Sequence, residues 1–147
     1  MKNPLFILLF LCFLLGYSQV EKTFYPNGKL KSEKFLKNDK IEGLCQFYYE
    51  NGQLEFEGNF KNGRKNGQHN WWYENGQLEF QEYYQYGIKA GLWKGWWENG
   101  QLEYEGSFKY NKRDDIWKSY YENGQLKKET SFILERKVSQ KCFDESG

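Results

Sequence analysis

The chain has 147 residues, of which 20% are Phe, Trp or Tyr and 28% are charged, with 21 basic against 20 acidic side chains. That balance gives no electrostatic reason to seek nucleic acid or an anionic membrane surface. The apolar supply lies in rings rather than long aliphatic runs, which argues against a thick core.

Residues 1–19 read as an export leader: Lys2, the apolar run PLFILLFLCFLLG, then Tyr17, Ser18 and Gln19. The run is short for a bilayer span, which takes about 20 apolar residues. Gly16 and Ser18 place small residues at the two positions a signal peptidase reads, so the expected cut is near Ser18/Gln19. The reading is a cleaved signal peptide and an exported protein, in the periplasm, at the surface or secreted. An uncleaved anchor is the alternative, and only then would the chain hold a membrane. Cys12 follows Phe10 and Leu11 instead of a small residue, which argues against lipidation.

From Val20 the chain is one repeat domain, 20–147. A half-repeat cap, 20–25, precedes repeats 26–49, 50–73, 74–97, 98–121 and 122–144 and a degenerate end, 145–147. Pro26, Glu50, Glu74, Glu98 and Glu122 recur every 24 residues, the mark of a stacked array. Each is followed by Asn-Gly: Asn27-Gly28, Asn51-Gly52, Asn75-Gly76, Asn99-Gly100 and Asn123-Gly124. Between alternating apolar residues this dipeptide predicts two-residue type I′ hairpins, with positive φ at both positions.

In such hairpins, residues whose numbers sum to that of the Asn-Gly pair face one another. Tyr25 then meets Leu30, Tyr49 meets Leu54, Tyr73 meets Leu78, Trp97 meets Leu102 and Tyr121 meets Leu126. Further out, Phe47 meets Phe56, Trp71 meets Phe80, Cys45 meets Gly58, Trp93 meets Gly106 and Trp117 meets Thr130. On the other face Lys22 meets Glu33, Lys94 meets Glu105, Lys118 meets Glu129, and Asn70 meets Gln81, pairs contributing about 0.2–1 kcal/mol when charges are opposite. The second connections, Phe60–Gly67, Tyr84–Gly91 and Phe108–Asp115, suit loops of about six residues.

The predicted fold is all-β: an antiparallel meander of about eleven strands forming an elongated single sheet. SQKCFDESG resembles KSYYENG with one residue deleted and serves as the C-terminal cap. Cys45 and Cys142 lie four repeats apart, on the order of 40 Å, against the roughly 7 Å between Cα atoms that a disulfide spans. Two free thiols are expected, or an intermolecular bond through Cys142.

The phrase Tyr48 to Leu54, with Phe60-Lys61-Asn62-Gly63 and Gly91-Leu92-Trp93, resembles the MORN-repeat variant of a bacterial group often filed with the YwqK-like antitoxins. The likeness runs from Val20 to Phe132. It implies five β-hairpin repeats serving as an interaction surface, and an antitoxin or immunity role in which the protein would cover a toxin's site.

No catalytic, metal or cofactor constellation emerges. His69, the only histidine, is placed opposite Glu82 where other repeats carry Trp93 and Trp117, and reads as a polar cross-strand pair. Glu55, Glu57, Glu79, Glu103 and Glu105 read as a solvated face. Phe24, Tyr48, Trp72, Trp96, Tyr120 and Phe143 form a ladder on the polar face, one rung per repeat. Its rings either cover aliphatic stems of neighbouring Lys and Glu or make a binding strip. The expected function is an exported, non-enzymatic protein-interaction or scaffold module, with Tyr48, Trp72, Trp96 and Tyr120 as partner-binding residues. Glycan binding by the same ladder is a further reading. Self-association through the end strands is expected where they stay unpaired.

Overall fold

The computed structural model describes residues 10–11 and 18–145; of the leader, residues 1–9 and 12–17 lie outside the described residues. The strands are β1 (Phe10–Leu11), β2 (Ser18–Phe24), β3 (Leu30–Lys37), β4 (Lys40–Tyr48), β5 (Leu54–Lys61), β6 (Arg64–Trp72), β7 (Leu78–Gln85), β8 (Ile88–Lys89), β9 (Gly91–Trp96), β10 (Leu102–Lys109), β11 (Lys112–Tyr120), β12 (Leu126–Ile133) and β13 (Arg136–Cys142). They form one antiparallel sheet in chain order, with β8 and β9 both pairing β7. Because β8 and β9 are one repeat strand broken at Ala90, the array without β1 has the expected eleven strands.

The Asn-Gly turns are not type I′. The amides of Gly28, Gly52, Gly76, Gly100 and Gly124 donate to the carbonyls of Tyr25, Tyr49, Tyr73, Trp97 and Tyr121 at 2.8–2.9 Å, and only the glycines, at φ +83 to +96°, have positive φ. Each is therefore a type I turn, with Pro26 or Glu second and Asn third, closed by a left-handed glycine in a bulge. Pro26 was the available signal, since its fixed φ suits the second position of a type I turn. The paired positive φ values sit at the opposite edge, at Asn38-Asp39, Asn62-Gly63, Tyr86-Gly87, Tyr110-Asn111 and Leu134-Glu135. There the expected six-residue loops shrink to two-residue connections such as Lys61↔Arg64, and the surplus residues become irregularities within the strands.

The outer register follows the summed numbers, as in Phe47↔Phe56, Cys45↔Gly58 and Trp117↔Thr130. Beside the turns it shifts by one, so Tyr48, Trp72, Trp96 and Tyr120 stand opposite Leu54, Leu78, Leu102 and Leu126. The leucines thus face the ladder instead of Tyr49, Tyr73, Trp97 and Tyr121. The residue displaced by the bulge turns to the tyrosine side: Lys31 Nζ lies 5.3 Å from the Tyr25 ring centre and Lys127 Nζ 5.1 Å from that of Tyr121.

Rings on one face carry the core. Centroids are 5.4 Å apart for Phe47 and Phe56, 4.4 Å for Phe56 and Trp71, 5.3 Å for His69 and Tyr84, 5.3 Å for Tyr84 and Trp93, and 5.0 Å for Phe108 and Trp117. Gly58 and Gly106 permit this, because a Cβ would overlap the His69 imidazole or the Trp117 indole. Basic side chains at one repeat position lie over rings of the next: Lys65 over Tyr84 at 4.6 Å, Lys89 over Phe108 at 5.0 Å and Arg113 over Phe132 at 4.3 Å. Cys45 is buried and Cys142 exposed, both as free thiols.

The repeated phrase ties neighbours together. Hydroxyls of Tyr25, Tyr49 and Tyr73 donate to the carbonyls of Tyr48, Trp72 and Trp96 at 2.6, 2.7 and 2.8 Å, each 23 residues on. Tyr121 reaches Phe143, 22 residues on, at 3.1 Å, consistent with the one-residue deletion. Asn51, Asn75 and Asn99 accept from the amides of Gln53, Gln77 and Gln101 and donate to the carbonyls of Glu74, Glu98 and Glu122. Trp97 interrupts the hydroxyl series, and its Nε1 is buried without a hydrogen-bond partner.

Tyr73→Phe is expected to lower stability by about 1 kcal/mol, the usual worth of one such bond. Trp97→Tyr should raise it by restoring the tie to Tyr120. Denaturant midpoints check both, and a Tyr73→Phe midpoint equal to the wild type would deny the tie a stabilising role. Gly106→Ala should cost about 1–3 kcal/mol through overpacking against Trp117, read in the same titration.

Candidate binding face

The face opposite the ring core is built from alternate residues of the same strands: Leu44-Gln46-Tyr48, Gln68-Asn70-Trp72, Leu92-Lys94-Trp96 and Ile116-Lys118-Tyr120. Each triplet runs polar to aromatic in its last two residues, and all but Gln68-Asn70-Trp72 begin with an apolar residue. Tyr48, Trp72, Trp96 and Tyr120 are half-buried, and successive rungs are two strand spacings, or about 10 Å, apart. Phe24 and Phe143 at the ends are more exposed.

The middle row is charge-paired at two positions, while Lys118 stands opposite Glu129 without an ion pair. Lys22 meets Glu33 at 3.1 Å, Lys94 meets Glu105 at 3.3 Å, and Gln46 donates to Glu57 at 2.9 Å. Around Trp72 the row is uncharged: Gln68 Nε2 donates to Asn70 Oδ1 at 2.9 Å, and Gln81 stands opposite Asn70. The Tyr48 hydroxyl donates to Gln46 and that of Tyr120 to Glu105. Burial, then the Glu33 and Glu57 charges, push the Tyr48 phenol up; burial, then the Glu105 hydrogen bond, do the same at Tyr120.

A second apolar row escaped sequence reasoning. Tyr83, Leu92 and Ile116 are 45, 47 and 44% exposed on the far side of the polar row. The pairings Gln68↔Tyr83, Leu92↔Ser107 and Ile116↔Ser131 place them there, one step beyond the pairs that the register singled out. Of the glutamates read as one solvated face, only Glu57 and Glu105 belong to this side. Glu55, Glu79 and Glu103 are bulge residues beside the tyrosines, and burial followed by the Glu55 charge raises Glu79.

His69 lies in the core face with no exposed surface. Its Nε2 bonds the Asn59 carbonyl at 2.9 Å, just as the Trp93 and Trp117 indoles donate to the carbonyls of Tyr83 and Ser107 at 3.1 and 3.0 Å. It stands in for an indole N–H. Glu82 stands opposite and is held by Lys65 at 3.4 Å. Burial, then Lys65, lower the His69 pKa against the Asn59 bond and Glu82. A histidine depressed in the fold but ordinary when unfolded removes stability as pH falls below about 6.5. Stability is therefore expected to fall by up to about 1.4 kcal/mol per pH unit below that point. His69→Trp, which keeps an N–H donor, should remove that part of the slope in denaturation at pH 7 and pH 5; an unchanged slope would assign it to other groups.

The chain matches the MORN repeat variant family over residues 20–38, 41–62, 65–86, 89–110 and 116–133, each segment falling within one hairpin of the sheet. A comparison with curated proteins finds no match. Five matched hairpins tied in series by one repeated set of bonds make this chain a member of the MORN repeat variant family.

Proposed function

We propose that the protein is an exported, non-enzymatic binding or scaffold module that receives an extended protein segment on its ladder face, centred on Trp72 and Trp96. The observation that carries this is a face with two apolar rows, Tyr48-Trp72-Trp96-Tyr120 and Tyr83-Leu92-Ile116, flanking a polar row of nearly balanced charge in which Lys22–Glu33 and Lys94–Glu105 are ion pairs. Such a face offers apolar contact without strong charge selectivity, as interaction patches do. Export is supported by the pattern of Lys2, the short apolar run and the small residues before Gln19. The uncharged amides Gln68, Asn70 and Gln81 beside Trp72 favour one second reading, a neutral glycan stacked on the indoles. The antitoxin role implied by the family resemblance would require a stable stoichiometric complex with a toxin.

Capture from envelope and secreted fractions with the wild type and a Trp72→Ala, Trp96→Ala double variant of equal circular dichroism tests the reading. A protein crosslinked to the wild type and lost from the variant is the expected result. Retention by both would make the ladder structural cover. Retardation of the wild type alone in polysaccharide gels would favour the glycan.

A further inference from the structure

At the C-terminal end of the core face the pattern of rings stops and a groove of about 350 Å³ opens, with Trp117 and Phe132 among its lining residues. The three preceding repeats put Phe56, Phe80 and Tyr104 where this one has Lys128, and Gly58, Glu82 and Gly106 where it has Thr130, while the first repeat has Ser32 and Lys34. Gln140, paired with Thr130, replaces the ring that the next strand would supply. Lys65, Lys89 and Arg113 each cover a ring 19 residues on, whereas Lys137, next in the row, bonds Gln140 Oε1 at 3.3 Å.

Thr130 lines this groove but is only 4% exposed, with its Oγ1 buried. Arg113 is neutralised by Glu135 at 2.6 Å, whereas among the described residues no acidic group forms an ion pair with Lys128 or Lys137.

We propose that this groove is a binding site for a small aromatic carboxylate. The flat ring takes the place of the missing repeat ring near Trp117 and Phe132, within reach of Lys137. The carboxylate meets Lys128 and Lys137. The site lies on the core face, away from the ladder, so it stands or falls independently of the function proposed above.

Calorimetric titration of the full chain with benzoate, benzamide and inorganic phosphate tests it. Benzoate should bind at least tenfold more tightly than benzamide, which lacks the charge, and than phosphate, which lacks the ring. Lys128→Gln and Lys137→Gln should each weaken benzoate at least fivefold, while Lys61→Gln at the other edge should change nothing. Circular dichroism checks that every variant is folded. Absence of benzoate heat at millimolar concentration, equal binding of benzamide, or indifference to both lysine substitutions would overturn the site. Phosphate as tight as benzoate would reduce it to a generic anion contact and overturn the aromatic assignment.

Discussion

A sheet one layer thick has no second layer to seal its apolar face, so each ring here must be covered by the repeat beside it. Every contact that defines the molecule answers that requirement. Rings lie across glycines, basic side chains close over rings of the next repeat, and tyrosine hydroxyls reach the next turn's carbonyl. The hydroxyl ties and the rings over Gly58 and Gly106 join neighbouring hairpins, whereas the cations close over rings within their own. Stability is therefore a sum of nearest-neighbour terms, and a defect at one joint weakens that joint first.

The same logic explains the phrase ENGQ. Asparagine locks its own turn and holds the next one, glycine supplies the left-handed residue, and glutamine leans on the following turn, where Gln53 comes within 2.7 Å of a Cβ placed on Gly76. Trp97 shows what one departure does: the indole fills space but leaves its N–H unpaired and the tie to Tyr120 unmade. His69 shows the opposite case, a different ring that still donates to the carbonyl ten residues back.

The two faces divide the work. One holds the array together through rings in its middle repeats, and Thr23 and Ser32 at one end and Ser119, Lys128, Thr130 and Gln140 at the other replace the ring-bearing pattern. The other keeps half-buried rings beside paired charges. Its rungs gain leucine neighbours from the turn bulge, so they are already partly covered before any partner arrives.

Sequence alone determined the repeat, the meander, the strand number and the outer register, because a 24-residue period and side-chain alternation leave one antiparallel pairing that keeps Phe47 on Phe56 and Cys45 on Gly58. It also put Tyr48, Trp72, Trp96 and Tyr120 on a common face. Tertiary structure decided the turn type, because Asn-Gly serves a type I turn with a glycine bulge as well as a type I′ turn, and only the backbone around Pro26 and the four glutamates separates them. That single bulge moved the leucines to the ladder and the glutamates to the tyrosines. The inter-repeat hydroxyl ties and the groove at Thr130 likewise depend on residues about 20 positions apart meeting across neighbouring hairpins, a proximity that only the stacked sheet creates.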